Sequence, residues 1–244
     1  MKTINVIGWH IGNPDTISKA IIDAIYDADV IVSESGLDYN TGDSGWWQNN
    51  ETKSQPFMID NDHKLVNYYD IEKAGFEEFL KSHSNIAIIV FEGMPGIQDP
   101  GSRLISAAFK MGGFTIKATP GPDAPSSAMA VSGFDGEGFI FAGYPQKDKE
   151  QALDKLRRVS FIRNFPIVMF FKDYQLNIIL ESIEEVFGPD ENVTMTINLS
   201  REDSSIVSGT VKELINSYTI NNVRDFEQNK CALVIENRTR DENS

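Results

Sequence analysis

Carboxylates and glycines are concentrated in one stretch near the middle of the chain, Glu92–Gly101, which reads EGMPGIQDPG. It contains three glycines, two prolines and two carboxylates, those of Glu92 and Asp99. Such a segment forms an irregular turn whose backbone N–H and C=O groups are open to a ligand, because glycine has no side chain and proline interrupts regular pairing. The carboxylates could orient a substrate or accept its proton. They could equally cap the following helix or satisfy amides of the turn.

The segments on either side of this turn predict a strand and a helix. The apolar run Ile86–Phe91 is short and rich in β-branched residues, which is typical of a buried parallel strand. After the turn, the apolar positions from Leu104 to Met111 recur at helical spacing, and Gly112-Gly113 predicts the end of that helix. Open α/β sheets bind ligands beyond the carboxyl ends of their strands, so the turn lies where a site is expected.

Two further turns have the same strand–turn–helix context. Phe114–Ala118 predicts a strand that leads into the turn Pro120-Gly-Pro-Asp-Ala124. At the start of the chain, the strand Ile4–Ile7 precedes the turn Gly8–Asp15, and a helix is predicted over Ile17–Ala28. The glycines of that first turn do not form a G-x-G-x-x-G fingerprint, so it does not by itself indicate a nucleotide site.

The remaining segments continue the alternation of helices and strands. Residues 64–80 predict a helix pair, and the later predicted strands include 166–171, 192–197 and 230–236, with a helix over 176–187. The polar stretch 36–56 has no hydrophobic period and contains the adjacent Trp46 and Trp47. These tryptophans either stack on a flat substrate or anchor the loop to its own domain or a second subunit.

Composition limits the function classes. The 244 residues include 36 acidic and 22 basic side chains, a net charge of −14, which argues against a broad nucleic-acid footprint but leaves a local basic groove possible. Three histidines and one cysteine, Cys231, lie in unrelated segments, so we expect neither a metal site nor an intrachain disulfide. We find no targeting segment or membrane-length apolar run and expect a soluble cytoplasmic protein.

The loops together resemble those of the tetrapyrrole (corrin/porphyrin) methylases. Within that family they are most similar to the bacterial enzymes that 2′-O-methylate a cytidine of small-subunit ribosomal RNA. Those enzymes read "DAGTPLISDPG" and "PGPSA" where this chain has Glu92–Gly101 and Pro120–Ala124. Their "ATPIGNLEDIT" aligns without a gap with Gly8–Ser18, and their "GTLAEL" is similar to Ser208–Leu214. The resemblance covers almost the whole chain. It departs at Phe170–Gln175, where those enzymes have "YESPHR", and after Glu34, where their arginine is missing.

The resemblance implies an α/β fold of two domains, residues 1–118 and 119–244, with a mostly parallel N-terminal sheet, a mixed C-terminal sheet and a cofactor cleft between them. It implies S-adenosyl-L-methionine as cofactor and a homodimer. The candidates for substrate orientation or proton acceptance are Glu92 and Glu34, and Arg201 is either a cation near the substrate or an exposed charge offset by its acidic neighbours. The residues implied to contact the cofactor are His10, Gly93, Met94, Ile97, Asp99, Gly101, Asp123, Ala124, Phe170, Phe171, Ile197, Asn198 and Leu199.

Three functions are consistent with these features. The first is S-adenosylmethionine-dependent 2′-O-methylation of ribosomal RNA, which the order of the motifs favours. The second is methylation of another acceptor, a tetrapyrrole or a peptide backbone amide, which the acidic charge and the replaced motifs favour. The third is a protein that binds the cofactor without catalysis.

Overall fold

The computed structural model describes residues 2–34, 64–145, 148–217 and 230–238. Within it the chain divides into two compact units, residues 1–123 and 124–244. The predicted loop that contains Trp46 and Trp47 lies outside the described residues.

The first unit is built on a five-stranded parallel sheet of order β3-β2-β4-β1-β5. Its central strands β2 and β4 are buried between helices on the two faces, which explains their apolar sequences. Helices α2, α3 and α4 pack on one face and α1 on the other. The strands are β1 (Lys2–Ile7), β2 (Val30–Ser33), β3 (Lys64–Asn67), β4 (Asn85–Ile88) and β5 (Phe114–Thr119), and the helices are α1 (Lys19–Tyr26), α2 (Tyr68–Ala74), α3 (Phe76–Ser82) and α4 (Ser102–Met111).

The second unit contains a five-stranded mixed sheet of order β6-β7-β10-β8-β9. Strands β6 and β7 are parallel, and β10 runs antiparallel to both β7 and β8. Helices α6, α7 and α8 cover one face, and α5 packs against β7 and β10 on the other. The strands are β6 (Ile140–Gly143), β7 (Ile167–Phe171), β8 (Asn192–Ile197), β9 (Ser205–Thr210) and β10 (Cys231–Ile235), and the helices are α5 (Ala124–Val131), α6 (Lys149–Ser160), α7 (Leu176–Phe187) and α8 (Val211–Ser217).

A parallel first sheet and a mixed second sheet confirm the predicted α/β fold class. Two local predictions were wrong. Residues Lys64–Asn67 form strand β3 rather than the start of a helix, because they pair with β2 at the edge of the sheet. Helix α1 begins later than expected, since Ser18 caps it by accepting from the Ile21 amide at 3.3 Å, and the preceding Pro14–Thr16 form a separate 3-10 turn.

Candidate functional site

Three loops meet at the carboxyl edge of the first sheet. The Gly8 amide, directly after β1, donates to the Thr119 carbonyl at the end of β5 (2.9 Å), and the Trp9 amide donates to the Gly93 carbonyl after β4 (2.8 Å). Because all strands of this sheet run in one direction, their carboxyl ends share one edge. The backbone bonds therefore join the three glycine-containing turns that the sequence singled out.

The turn after β1 touches the turn after β5 through two glycines. A Cβ built on Gly121 would lie 2.5 Å from the Gly8 carbonyl oxygen, closer than real side chains approach. A Cβ on Gly8 would in turn overlap the Gly121 backbone and the Met94 sulfur. Glycine is therefore required at both positions for close backbone contact. The Met94 sulfur therefore lies close beside Gly8.

The loop after β4 presents its backbone through left-handed turns. Gly93 has φ 80°, and a Cβ there would find only Ile11 and the Pro122 carbonyl, at 3.8 and 4.0 Å. Gly101, with φ 133°, is the N-cap of α4. L-amino acids rarely adopt these φ values, whereas glycine, which has no Cβ, adopts them readily. A loop of this geometry forms a backbone cradle that can present amides and carbonyls to a ligand.

Glu34 has a defined structural partner. Its carboxylate accepts the Phe91 amide at 2.9 Å, and its carbonyl accepts from the Asn67 side chain at 3.4 Å. These bonds link the ends of β2, β3 and the segment after β4. Glu34 therefore anchors the start of the loop that carries Glu92, and both carboxylates are half-buried.

His10 is buried in the first turn, with a relative exposure of 2%. Its Nδ1 accepts the Gly12 amide at 3.2 Å, so a neutral ring carries its proton on Nε2. The ring centroid lies 5.5 Å from that of Trp9. The buried histidine ring therefore stabilises the turn through this hydrogen bond. Asp99 and Asp123 lie half-buried in the turns after β4 and β5, and Ala124 begins α5 in the second unit.

An apolar cavity of about 420 Å³ lies beside the same loop, between α4 and the sheet. Ile97 and Gly101 line it, whereas Gly93 and Met94 do not. The lining residues are Val6, Ile88, Pro95, Gly96, Ile97, Gly101, Ser102, Ile105, Ser106 and Phe109.

In the second unit, Phe170 and Phe171 point to opposite faces of the sheet. Phe171 is 3% exposed within the core beneath α6 and α7, while Phe170 belongs to the cluster on the α5 face. Successive side chains alternate along a strand, so they cannot both line one pocket. Only the Phe170 ring faces the α5 side, where its centroid lies 4.9 Å from that of Phe141 and 5.4 Å from that of Tyr144.

Asn198 is the structural centre of the turn after β8. It is 3% exposed with φ 50°, its amide group donates to Asp203 at 2.7 Å, and its side-chain oxygen accepts the Lys230 amide at 3.0 Å. Its carbonyl accepts the Arg201 amide at 2.9 Å. Asn198 therefore shapes the turn that positions its half-buried neighbours. Those neighbours are Ile197, Leu199 and Arg201.

Sequence reasoning missed Tyr144 and Lys155. Strands β6, β7 and β8 run in the same direction, which brings Tyr144 to the edge where Phe170 and Asn198 lie. Lys155, on α6, donates to the carbonyls of Ala142 and Tyr144. The sequence Gly-Tyr-Pro at 143–145 indicates a break in strand pairing, but it does not reveal the lysine that holds it.

The described residues offer neither a cluster of metal-ligating side chains nor a membrane-spanning helix. Residues 2–34, 64–145, 148–217 and 230–238 contain no group of three or more His, Cys, Asp or Glu side chains that could hold a metal ion. In the same ranges, every helix is too short or too polar to cross a membrane.

Comparison with known proteins gives consistent matches over most of the chain. The profile of the family described as Tetrapyrrole (Corrin/Porphyrin) Methylases matches residues 3–215. Ribosomal RNA small subunit methyltransferase I of Bacillus subtilis (strain 168) is 26% identical, over 99% of this chain and 77% of that protein. The protein of the same name from Thermotoga maritima is 28% identical, over 89% of this chain and 92% of that protein.

Solved structures share the fold at low sequence identity. The methyltransferase CobJ matches with a TM-score of 0.63 at 17% identity, covering 96% of this chain and 94% of that one. Diphthine synthase matches with a TM-score of 0.59 at 13% identity, covering 96% and 88%.

Proposed function

Because the chain belongs to the tetrapyrrole (corrin/porphyrin) methylase family, we propose that it is an S-adenosylmethionine-dependent methyltransferase that 2′-O-methylates small-subunit ribosomal RNA in the cytoplasm. The observation that carries the choice of acceptor is similarity along nearly the whole chain to proteins named ribosomal RNA small subunit methyltransferase I. Methyltransferases of this family use S-adenosylmethionine. We propose that the glycine turns of the first unit hold it through their backbone groups.

The proposed cofactor contacts of the first unit are mainly backbone groups. The turns after β1, β4 and β5 are tied together at Gly8, Gly93 and Thr119, so their amides and carbonyls are fixed before a ligand arrives. Such preorganisation reduces the ordering that binding requires. In the second unit, the Phe170 ring and the turn Ile197–Leu199 are the proposed contacts, with the Phe171 side chain excluded by its burial in the core.

S-Adenosylmethionine supplies an electrophilic methyl group and leaves a neutral thioether. The chain has to align the acceptor hydroxyl with that group and to receive its proton as the new oxygen–carbon bond forms. Glu92 is the proposed proton acceptor, since it is half-buried in the loop that Glu34 anchors. We propose that Glu34 acts by positioning this loop, and that Arg201 provides a cation near the acceptor.

The direct test is to map methylated nucleotides of small-subunit ribosomal RNA from cells with and without this protein. Mass spectrometry of RNA fragments from the deletion strain should lack one 2′-O-methyl group, and purified protein with S-adenosylmethionine should restore it. An unchanged modification pattern in the deletion strain would exclude this RNA as the substrate.

A second acceptor class is favoured by the charge of the chain. A net charge of −14 is unfavourable for binding a phosphate backbone, and an acceptor without one, such as a tetrapyrrole or a peptide amide, does not carry that cost. The two classes differ in salt dependence. Methylation limited by RNA binding should weaken steeply as salt rises, whereas methylation of an acceptor without a phosphate backbone should change much less.

We also propose that the protein is a homodimer, an expectation that follows from the resemblance to its family. Size-exclusion chromatography with light scattering should give twice the chain mass of 27.3 kDa. A mass equal to that of one chain at micromolar concentration would contradict it.

A further inference from the structure

Strand β6 contains a bulge at its end. Ile140 pairs with Ile167 and Phe141 with Val168, but the next pair is Gly143 with Met169, so Ala142 is an extra residue. Gly143 adopts φ 65° at this point. A bulge reverses the alternation of side chains for every residue that follows it.

This reversal places Tyr144 on the α5 face of the sheet. In an unbroken strand Tyr144 would face the same side as Ile140 and Ala142, which pack against the core beneath α6 and α7. Instead its ring lies 5.4 Å from the ring of Phe170, and 39% of the residue is exposed. An aromatic surface thus lies at the edge of the second sheet where β6, β7 and β8 end.

Lys155 holds the bulge from helix α6. Its ammonium group donates to the Ala142 carbonyl at 2.7 Å and to the Tyr144 carbonyl. Lys155 therefore binds both the extra residue of the bulge and the residue whose side chain the bulge moves to the other face of the sheet. Partial burial lowers the pKa of Lys155 below its ordinary value. Lys149 and Arg157 of the same helix instead form surface ion pairs with glutamates of α7. A lysine engaged with main-chain carbonyls fixes backbone geometry more directly than such surface pairs do.

We propose that Tyr144 is a contact for the flat ring of a nucleobase and that Lys155 is the positioning residue that presents it. Aromatic side chains bind bases by stacking, and this mode tolerates any base because every base has a π-face. The inference rests on the proposed function, in which both the cofactor and the RNA contain nucleobases. The ring bound here is therefore the adenine of S-adenosylmethionine or a base of the RNA, and the experiment distinguishes them.

The test compares two binding constants in the full chain. Calorimetry measures the Kd of S-adenosylhomocysteine, and fluorescence anisotropy measures the Kd of a labelled fragment of small-subunit ribosomal RNA. Tyr144→Leu should raise one of them by about tenfold or more, the range measured for loss of a base–aromatic stack, while Tyr144→Phe should leave both near the wild-type values. Phe161→Leu, at a residue that is 85% exposed in the same unit, is the matched control and should change neither.

Lys155→Met tests the positioning role, because it keeps the aliphatic stem and removes the ammonium. It should raise the same Kd as Tyr144→Leu. The double variant should bind no more weakly than the weaker-binding of the two single variants, because both substitutions remove the same contact. Lys149→Met is the control on the same helix. Circular dichroism checks the fold of each variant, and Tyr144→Gln replaces Tyr144→Leu if the latter does not fold.

The outcomes separate this inference from the function on which it rests. A rise in the S-adenosylhomocysteine Kd alone assigns the ring to adenine, and a rise in the RNA Kd alone assigns it to an RNA base. Wild-type affinity of Tyr144→Leu for both ligands overturns the inference and leaves the proposed function standing. If the fold-increases in Kd of the two single variants multiply in the double variant, the positioning role of Lys155 is overturned. A wild-type protein that binds neither ligand overturns the proposed function, and this inference falls with it.

Discussion

Replacing Gly121 by alanine tests whether the turns after β1 and β5 touch as described. The added Cβ would lie 2.5 Å from the Gly8 carbonyl oxygen, 2.6 Å from its carbonyl carbon and 2.9 Å from its Cα. All three neighbours are backbone atoms, so no flexible side chain can move aside. Ordinary contact at about 3.5 Å requires the two turns to separate by roughly 1 Å. That displacement would stretch the 2.9 Å bond from the Gly8 amide to the Thr119 carbonyl.

The expected cost follows from these two effects. Overpacking of this kind costs about 1–3 kcal/mol, and a weakened hydrogen bond adds about 1 kcal/mol. For a chain of this length each kcal/mol lowers Tm by about 2–4 °C, so Gly121→Ala should melt roughly 5–15 °C below the wild type. The backbone cradle would also be displaced, and the affinity for S-adenosylhomocysteine should fall by about tenfold or more.

Thermal unfolding by circular dichroism and calorimetric titration measure the two effects. Gly138→Ala is the matched control, since its Cβ would meet only the Phe165 ring, at 3.4 and 3.7 Å, and it should melt near the wild type. If Gly121→Ala and Gly138→Ala both melted within about 1 °C of the wild type, the turns could not be in contact and the reasoning would be refuted.

Three further substitutions test individual side chains. Glu34→Gln keeps an oxygen acceptor for the loop after β4 and should retain turnover, whereas Glu34→Ala should weaken S-adenosylhomocysteine binding by about tenfold. Loss of turnover in Glu34→Gln would instead make Glu34 a proton acceptor. Thr194→Val removes the donor to the buried Ser132 carbonyl (2.9 Å) and should cost about 1–3 kcal/mol in urea unfolding, and a loss below about 0.5 kcal/mol would contradict this. Hydrogen bonds from Thr210 lower the pKa of Glu213, so the stability it contributes is present above the ordinary carboxyl pKa and is lost as pH falls through the lower folded value. The Tm difference between wild type and Glu213→Gln should therefore narrow in acid. A Tm difference that does not change with pH would contradict the stabilising role of the Glu213 carboxylate.

The order of strands and helices could be predicted because glycine and proline mark the turns strongly. Glu92–Gly101 and Pro120–Ala124 were identified from their glycine and proline content and from the strands predicted before them, and the structure brings the segments they follow to one sheet edge. The end of β4 was less predictable. Apolar residues continue to Phe91, but regular pairing stops at Ile88, because the chain then turns toward the carboxylate of Glu34.

The side-chain contacts of the candidate site could not be predicted from the sequence, because they depend on how distant segments pack. Strand alternation predicts that Phe170 and Phe171 face opposite ways, but which of them faces the core depends on the helices that cover each face. The bulge at Ala142 could not be predicted, since the lysine that holds it is distant in sequence. Asn198 was expected as a cofactor contact, and only the fold reveals that its side chain is engaged by the turn itself.

The division of the chain after Asp123 has a consequence for biosynthesis. Each unit is a continuous half of the sequence, and every strand of the first sheet precedes every strand of the second. The first half can therefore complete its core while the second is still being translated. It cannot do so early, however, because β1 is held between β4 and β5, and the latter ends at Thr119. A ribosome-bound chain should thus remain unprotected from protease until almost the whole first half has emerged, and should then become resistant in one step.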